Sequence, residues 1–453
     1  MPLLRRSLLL ASVLLALAAR TGASQQDQRC FFQIEFVGDS GRVETPVGTT
    51  QVNYYAGGGV RFSCRGTSVR MSSDSVASID GGKVVYFVGK VRYRDSTVTL
   101  DADRGTYYKD GERWEARGNV RTTNLTSGSA LTGPSVDYFR QVAGLRDTAE
   151  VVAVQRPTVR YVIREDSTRR QQADTSTAQD EPYVIIADRL RMRGDERIWA
   201  AGKVTVTRSD LAAAADSMAL DTSGGWQEGV LIGTRPTFKA MEKDTFELRG
   251  SRIDFGMDQR ELRVVTSIGE AEAVSAERTL TGDVIRLHVR ARAPRRSLAW
   301  GGQSQATADG PSYAARADSL VFQSPDEVLV RVDAVGDGWV AAKADSVSGD
   351  RDWIAGDTVV ARFRERAGET GLSVLTAVLD ARAFYRGGAD GKARGTQAYV
   401  RGDFITVTMR DDRDEVREVN VRGHVDGVQL EPKTETTPAT PSVPTAAVNG
   451  RPS

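Results

Sequence analysis

Histidine and cysteine are nearly absent. The 453-residue chain holds two of each: His288, His424, Cys30 and Cys64. Two histidines so far apart do not supply the usual general-base constellation, and the four residues together lack metal-ligand spacing, so no catalytic centre, metal site or cofactor is expected. Neither a Gly-x-Ser-x-Gly elbow nor a phosphate loop occurs. An excess of one charge is also missing. Lys+Arg 61 stand against Asp+Glu 60, which argues against nucleic acid as a partner. Past the first twenty residues no apolar run is long enough to span a bilayer as a helix, and none repeats at i, i+3, i+4 and i+7 over three turns.

What is present begins with a leader. Arg5 and Arg6 precede an apolar run from Leu8 to Ala19, and small residues follow at Gly22, Ala23 and Ser24. That three-part layout predicts a signal peptide over 1–23 and export to the periplasm, with association with the outer membrane left open. In an oxidising compartment Cys30 and Cys64 are expected to be bridged rather than free, a link contributing roughly 3–4 kcal/mol in the chain-entropy model.

The exported body alternates. Val91 and Tyr93, Val98 and Leu100, Val120, and Val136 and Tyr138 each share a face with polar neighbours between them. So do Val204 and Val206, then Ile285, Leu287 and Val289, and finally Ile405 and Val407. A period of two marks strands with one buried face, as in antiparallel or solenoidal sheets. A marker of small residue plus Asp returns at Asp103, Asp188, Asp216, Asp283, Asp318, Asp345 and Asp403, giving a repeat of about thirty residues. Interleaved with it is a Gly-x-Val-like marker at Gly89, Gly118, Gly202 and Gly423, looser at Gly233 and Gly269. Such aspartates read as caps of tight corners more readily than as stacked calcium ligands. The pattern predicts roughly thirty short strands, in region 24–164 and region 183–430. A polar linker over 165–182 lies between them, and a disordered Pro/Thr-rich tail over 431–453 follows.

Gly118-Asn119-Val120, the Ala-Asp-Ser markers at Ala215, Ala317 and Ala344, and the strand starts at Leu131, Leu248 and Leu280 resemble the OstA-like domain of lipopolysaccharide-transport proteins, most nearly the LptA type of periplasmic bridge. The resemblance runs from about Val76 to Val425. It implies an all-β β-taco or β-jellyroll: two antiparallel sheets around an apolar groove that carries the acyl chains of lipopolysaccharide or a similar glycolipid toward the outer membrane without catalysis. It also implies other OstA-like components as partners. The groove candidates are the fourteen alternating residues named above. Open strand edges predict end-to-end addition to copies of the same chain. Two other classes stay open: a structural or adhesive envelope protein, and a carbohydrate-cleaving β-helix using a pair of carboxylates.

Overall fold

The computed structural model describes residues 29–163, 181–241, 245–258, 260–342, 351–366, 369–386, 396–410 and 416–431. The expected leader over 1–23, nearly all of the linker over 165–182, Asp345 and all but the first residue of the tail lie outside them.

In the strand Val84–Arg94 the residues Val85, Phe87, Val91 and Tyr93 are buried, while Tyr86, Val88, Lys90 and Arg92 are exposed. Halfway along, Gly89 and Lys90 both take positive φ, 78° and 46°. Two left-handed residues in a row turn the strand, and its pairing with Val98–Tyr108 breaks between Val88 and Val91. Each half then joins a different ladder. Ser75–Ile79 pairs with the first half and Arg70–Ser73 with the second.

The same corner recurs at Gly118–Asn119, Gly202–Lys203 and Gly269–Glu270. Elsewhere the chain is cut at the corner, and two short strands replace one long one. Glu150–Val154 with Thr158–Tyr161, and Trp226–Ile232 with Thr237–Ala240, are such pairs. The all-β, antiparallel, jellyroll-like fold therefore consists of two ladders joined along one side by corners. Thirty-two strands are present among the described residues, and the only helical turn there is Asp80–Gly82.

The two sequence markers are the two halves of one corner. The Asp103 carboxylate lies against Gly118, where a β-carbon would collide with it. It accepts a 2.8 Å hydrogen bond from Asn119 Nδ2. The amides of Asp74, Asp188 and Asp403 donate to the carbonyls of Gly89, Gly202 and Gly423, each at 2.8 Å. Glycine is required where left-handed backbone meets the carboxylate of the neighbouring strand.

Two compact units result, one comprising 1–311 and 318–332, the other 312–317 and 333–453. The division does not fall at 165–182. Thr158–Tyr161 and Tyr183–Ile186, on either side of that stretch, are hydrogen-bonded in register from Thr158↔Ile186 to Tyr161↔Tyr183, so the two sides belong to one ladder.

In the first unit the inner faces of the two ladders meet. Tyr93 of one packs on Trp114 and Tyr138 of the other, with ring centroids 5.2 and 5.7 Å apart. Phe62 meets Phe87 at 5.8 Å, and Phe238 meets Phe255 at 5.8 Å. Cys30 and Cys64 are bonded at the N-terminal end, their Cα atoms 4.9 Å apart. In the second unit the strands Trp353–Arg366, Glu369–Arg386 and Gln397–Met409 form a long meander over a small-residue core that includes Ile354, Val359, Ala361, Ala377, Ala383 and Ile405. Its last strands, Val416–Arg422 and Asp426–Leu430, pair on one side only among the described residues.

Candidate functional site: the open seam of the first unit

Peptide bonds join the two ladders at the corners. At the opposite strand ends, rows of hairpins face each other, and no backbone hydrogen bond crosses between the ladders there among the described residues. Side chains close this seam. The Tyr138 hydroxyl donates to Asp95 Oδ2 at 2.9 Å. The Tyr161 hydroxyl donates to the Asp195 carbonyl at 2.7 Å, with Thr222 Oγ1 2.8 Å away. Arg260 Nε and Nη2 donate to the Ile163 carbonyl at 3.0 and 2.7 Å. Further along, the Arg278 guanidinium stands 5.1 Å above the Phe322 ring.

The N-terminal end of the interior is sealed by a buried polar network. Glu112, fully buried, accepts from the Cys30 amide at 2.7 Å, from Arg140 Nη2 at 2.8 Å and from the Tyr107 hydroxyl. Burial opposes the Arg140 charge, but its bonds to Glu112 outweigh that and hold its pKa above the usual value. Asp95 accepts from Tyr93, Tyr138 and the Thr97 and Val98 amides. Burial first, then neighbouring negative charge, from Tyr138 and Asp95 at Tyr93, from Glu112 at Tyr107 and from Asp95 at Tyr138, pushes the pKa of these hydroxyls upward, so all three remain hydrogen-bond donors. These groups satisfy one another, as buried polar groups must.

Between the two closures the seam opens into a mouth of about 370 Å³. Its floor is Val98, Leu131, Tyr138, Val151, Val159 and Met192, from both ladders. Threonine, serine and asparagine side chains and the carboxylates of Asp147, Asp195 and Glu196 form the rim, with no Lys or Arg among the lining residues. Elsewhere in the interior of the first unit lies an apolar void of about 30 Å³, bounded by residues such as Ile185, Val206, Phe238 and Met257. That is room for about one water molecule. The interior is packed, not an open trough.

Of the fourteen groove candidates, Val91, Tyr93, Val98, Leu100, Val120, Val136, Tyr138, Val204, Val206, Ile285, Leu287, Val289 and Ile405 are buried. Val407 is half-buried, because its neighbour across the ladder, Val419, lies on the strand Val416–Arg422 at the open edge of the second unit. The structure brings Val98 and Tyr138 to the mouth and Val206 to the apolar void, and places the other buried candidates of the first unit within its inner faces. Period alone missed the closing groups Asp95, Glu112, Arg140, Tyr161 and Arg260. They sit at hairpin ends, where alternation stops. It also missed Trp114, Leu131, Val159 and Met192, whose inward parity in their own strands was available as a signal.

No protein-family model matches the chain, and no curated protein matches it by sequence. Among solved structures it is similar to LptH, described as the LptA homologous periplasmic component of the conserved lipopolysaccharide transport device from Pseudomonas aeruginosa. That likeness has 16% identity and a TM-score of 0.23, and covers 28% of this chain and 87% of that one.

Proposed function

We propose that the protein is an exported lipid carrier of the periplasm that takes the acyl chains of lipopolysaccharide or a similar glycolipid between its two ladders and passes them on without covalent chemistry. The observation that carries this reading is the mouth: a polar, hydroxyl-rich rim over an apolar floor continuous with the interior. That layout matches an amphiphile, whose head group stays in water while its chains gain about 25 cal/mol per Å² on leaving it. The edges of the ladders serve transfer. In the first unit Phe32–Val37 is largely exposed and pairs on one side only among the described residues, with Val60–Cys64; in the second unit Asp426–Leu430 pairs, among the described residues, only with Gln397–Met409. Each offers unpaired backbone groups to a further OstA-like component or to a second copy.

The packed interior favours a second reading, a structural or adhesive envelope protein. Photocrosslinkers placed at the floor residues Val98 and Val159 and at their outward neighbours Thr99 and Arg160 separate the two. Lipid adducts from the floor pair alone support carriage. Absence of adducts from all four positions, in protein expressed in a lipopolysaccharide-bearing envelope, leaves the scaffold.

A further inference from the structure

On the outer face of the first unit, away from the interior, lies a second cleft of about 630 Å³, within the size range of small-molecule sites. Two tryptophans frame it: Trp199, 37% exposed, and Trp226, 46% exposed. Both are seated. The Arg191 guanidinium, forked onto Glu150 at 2.7 and 3.1 Å, holds Trp199 from the side away from the cleft, 5.4 Å from its ring. Trp226 lies down over Gly256, where any β-carbon would collide with the indole. The floor between them is low because Trp199 stands opposite Ala219, and Ala219 opposite Val230. From the strand bearing Trp199 to the one bearing Gly256 is three strand spacings, ~14 Å, the span of a short oligosaccharide.

The polar groups in this cleft are planar and two-pronged. Arg197 Nε meets Asp221 Oδ2 at 2.8 Å, and Arg252 Nη2 meets Asp254 Oδ1 at 2.8 Å. With Glu228 the lining holds two cations, Arg197 and Arg252, against three carboxylates, Asp221, Glu228 and Asp254, a balance of −1. That sign disfavours polyanions, nucleic acid among them. A pyranose presents an apolar C–H face, which stacks on an indole, and an edge of adjacent hydroxyls, which matches carboxylate and guanidinium forks.

We propose that this cleft binds saccharide, as a chain of neutral sugars laid across Trp199 and Trp226. Its position ties it to the mouth. One hairpin, between Arg189–Arg193 and Arg197–Arg208, carries Asp195 and Glu196 at the mouth and Arg197 and Trp199 in the cleft. Resting on the carrier reading, the sugar is then the glycan of the same amphiphile, folded back over that hairpin while its chains enter the seam.

Tryptophan fluorescence of the full exported chain, titrated with four acyl-free probes, tests the cleft. The probes are maltohexaose, cellohexaose, chitohexaose and the core oligosaccharide released from lipopolysaccharide by mild acid. Saturable binding is expected for at least one. Trp199→Ala and Trp226→Ala each weaken it about tenfold, ~1.4 kcal/mol, and Trp226→Phe retains most of it. Both alanine changes lie on the outer face, and uptake of a fluorescent fatty acid by these variants stays at the wild-type level. Absence of saturable binding by all four probes at millimolar concentration, or equal binding by wild type and both alanine variants, overturns the proposal. Saccharide binding in a protein that takes up no acyl probe upholds the cleft and removes only the carrier reading.

Discussion

Tyr161→Phe tests whether the seam is the way in. The side chain is fully buried, and the substitution keeps its shape while removing the hydroxyl that donates to the Asp195 carbonyl and lies beside Thr222 Oγ1. Asp195 and Thr222 are half-buried at the hairpin ends and regain water when the clasp is gone. The loss is then that of a net hydrogen bond, about 1 kcal/mol, and not the larger cost of an orphaned buried group. It raises the local opening equilibrium about fivefold. The labelling rate of a cysteine placed at the floor residue Val159 and the uptake rate of a fluorescent fatty acid should both rise by that factor. Faster labelling with unchanged uptake refutes the mouth as the route, and unchanged labelling refutes the clasp.

Alkali gives an independent check. Burial raises the Tyr161 pKa to about 12, above the unperturbed ~10. Between these values the open form loses its proton before the closed one, so closure weakens as pH rises through the window and is unaffected below it. The phenylalanine variant lacks that slope.

Glu112→Ala leaves Arg140 buried without its carboxylate, which should cost about 3–5 kcal/mol and lower the denaturant midpoint of the N-terminal end. The double variant Glu112→Met with Arg140→Met should recover the part due to the unpaired Arg140, though not the part due to the Cys30 amide and Tyr107 hydroxyl that lose their acceptor in both variants; no recovery would mean the ion pair is not a source. Gly118→Ala should destabilise by more than Asp103→Ala, since it adds a collision with Asp103 to the strain of φ 74°; denaturation midpoints in the reverse order would dispose of the corner argument. His288 is held below its ordinary pKa by partial burial first, then by Arg286 and Arg296. Its contribution is complete above the unfolded value near 6.5 and is lost as pH falls through the folded value. Proton titration by NMR checks the direction, and His288→Asn should flatten the acid limb of stability.

How much of this was legible in the sequence follows from what each feature depends on. The inward set could be read because Val91 and Tyr93, or Ile285, Leu287 and Val289, obey the period of a half-buried strand wherever the strand lies. The corners were visible as two separate markers, Asp103 and Gly118 for instance, but not as one object. Their contact joins adjacent rungs, and one-dimensional spacing does not state which Asp meets which Gly. Gly336, where Val335 and Trp339 flank a further corner, went unread because Gly338 and Asp337 blur the marker. The clasps were illegible for a different reason. Tyr161 meets Asp195, and Arg260 meets Ile163, across the seam and far along the chain. Asp195 and Arg260 sit in turns, where composition signals only a loop. Trp199 had a signal of its own, an outward aromatic between inward Ile198 and Ala200, while the seat of Trp226 depends on Gly256, on the neighbouring strand about one repeat further along the chain.

A packed interior and a carrier of lipid are reconciled by what opening costs. The corners are covalent, so separating the ladders at the mouth breaks side-chain clasps such as those of Tyr138 and Tyr161 but no ladder hydrogen bond. The Tyr161 clasp, bonded to a carbonyl, is worth about 1 kcal/mol, and the Tyr138 clasp, bonded to the Asp95 carboxylate, about 1.5–3 kcal/mol. The larger penalty is the exposure of apolar floor to water, and that penalty exists only while the gap is filled by water. An acyl chain that follows the parting covers the floor again and brings about 0.8 kcal/mol for each methylene it buries. Roughly three to five methylenes offset these two clasps. On the proposed carrier reading the closed interior would be the resting state, and occupancy would open it progressively from the mouth inward. The buried Glu112–Arg140 network, with Glu112 bound from three sides, closes the N-terminal end, so on that reading a chain would advance away from the disulfide.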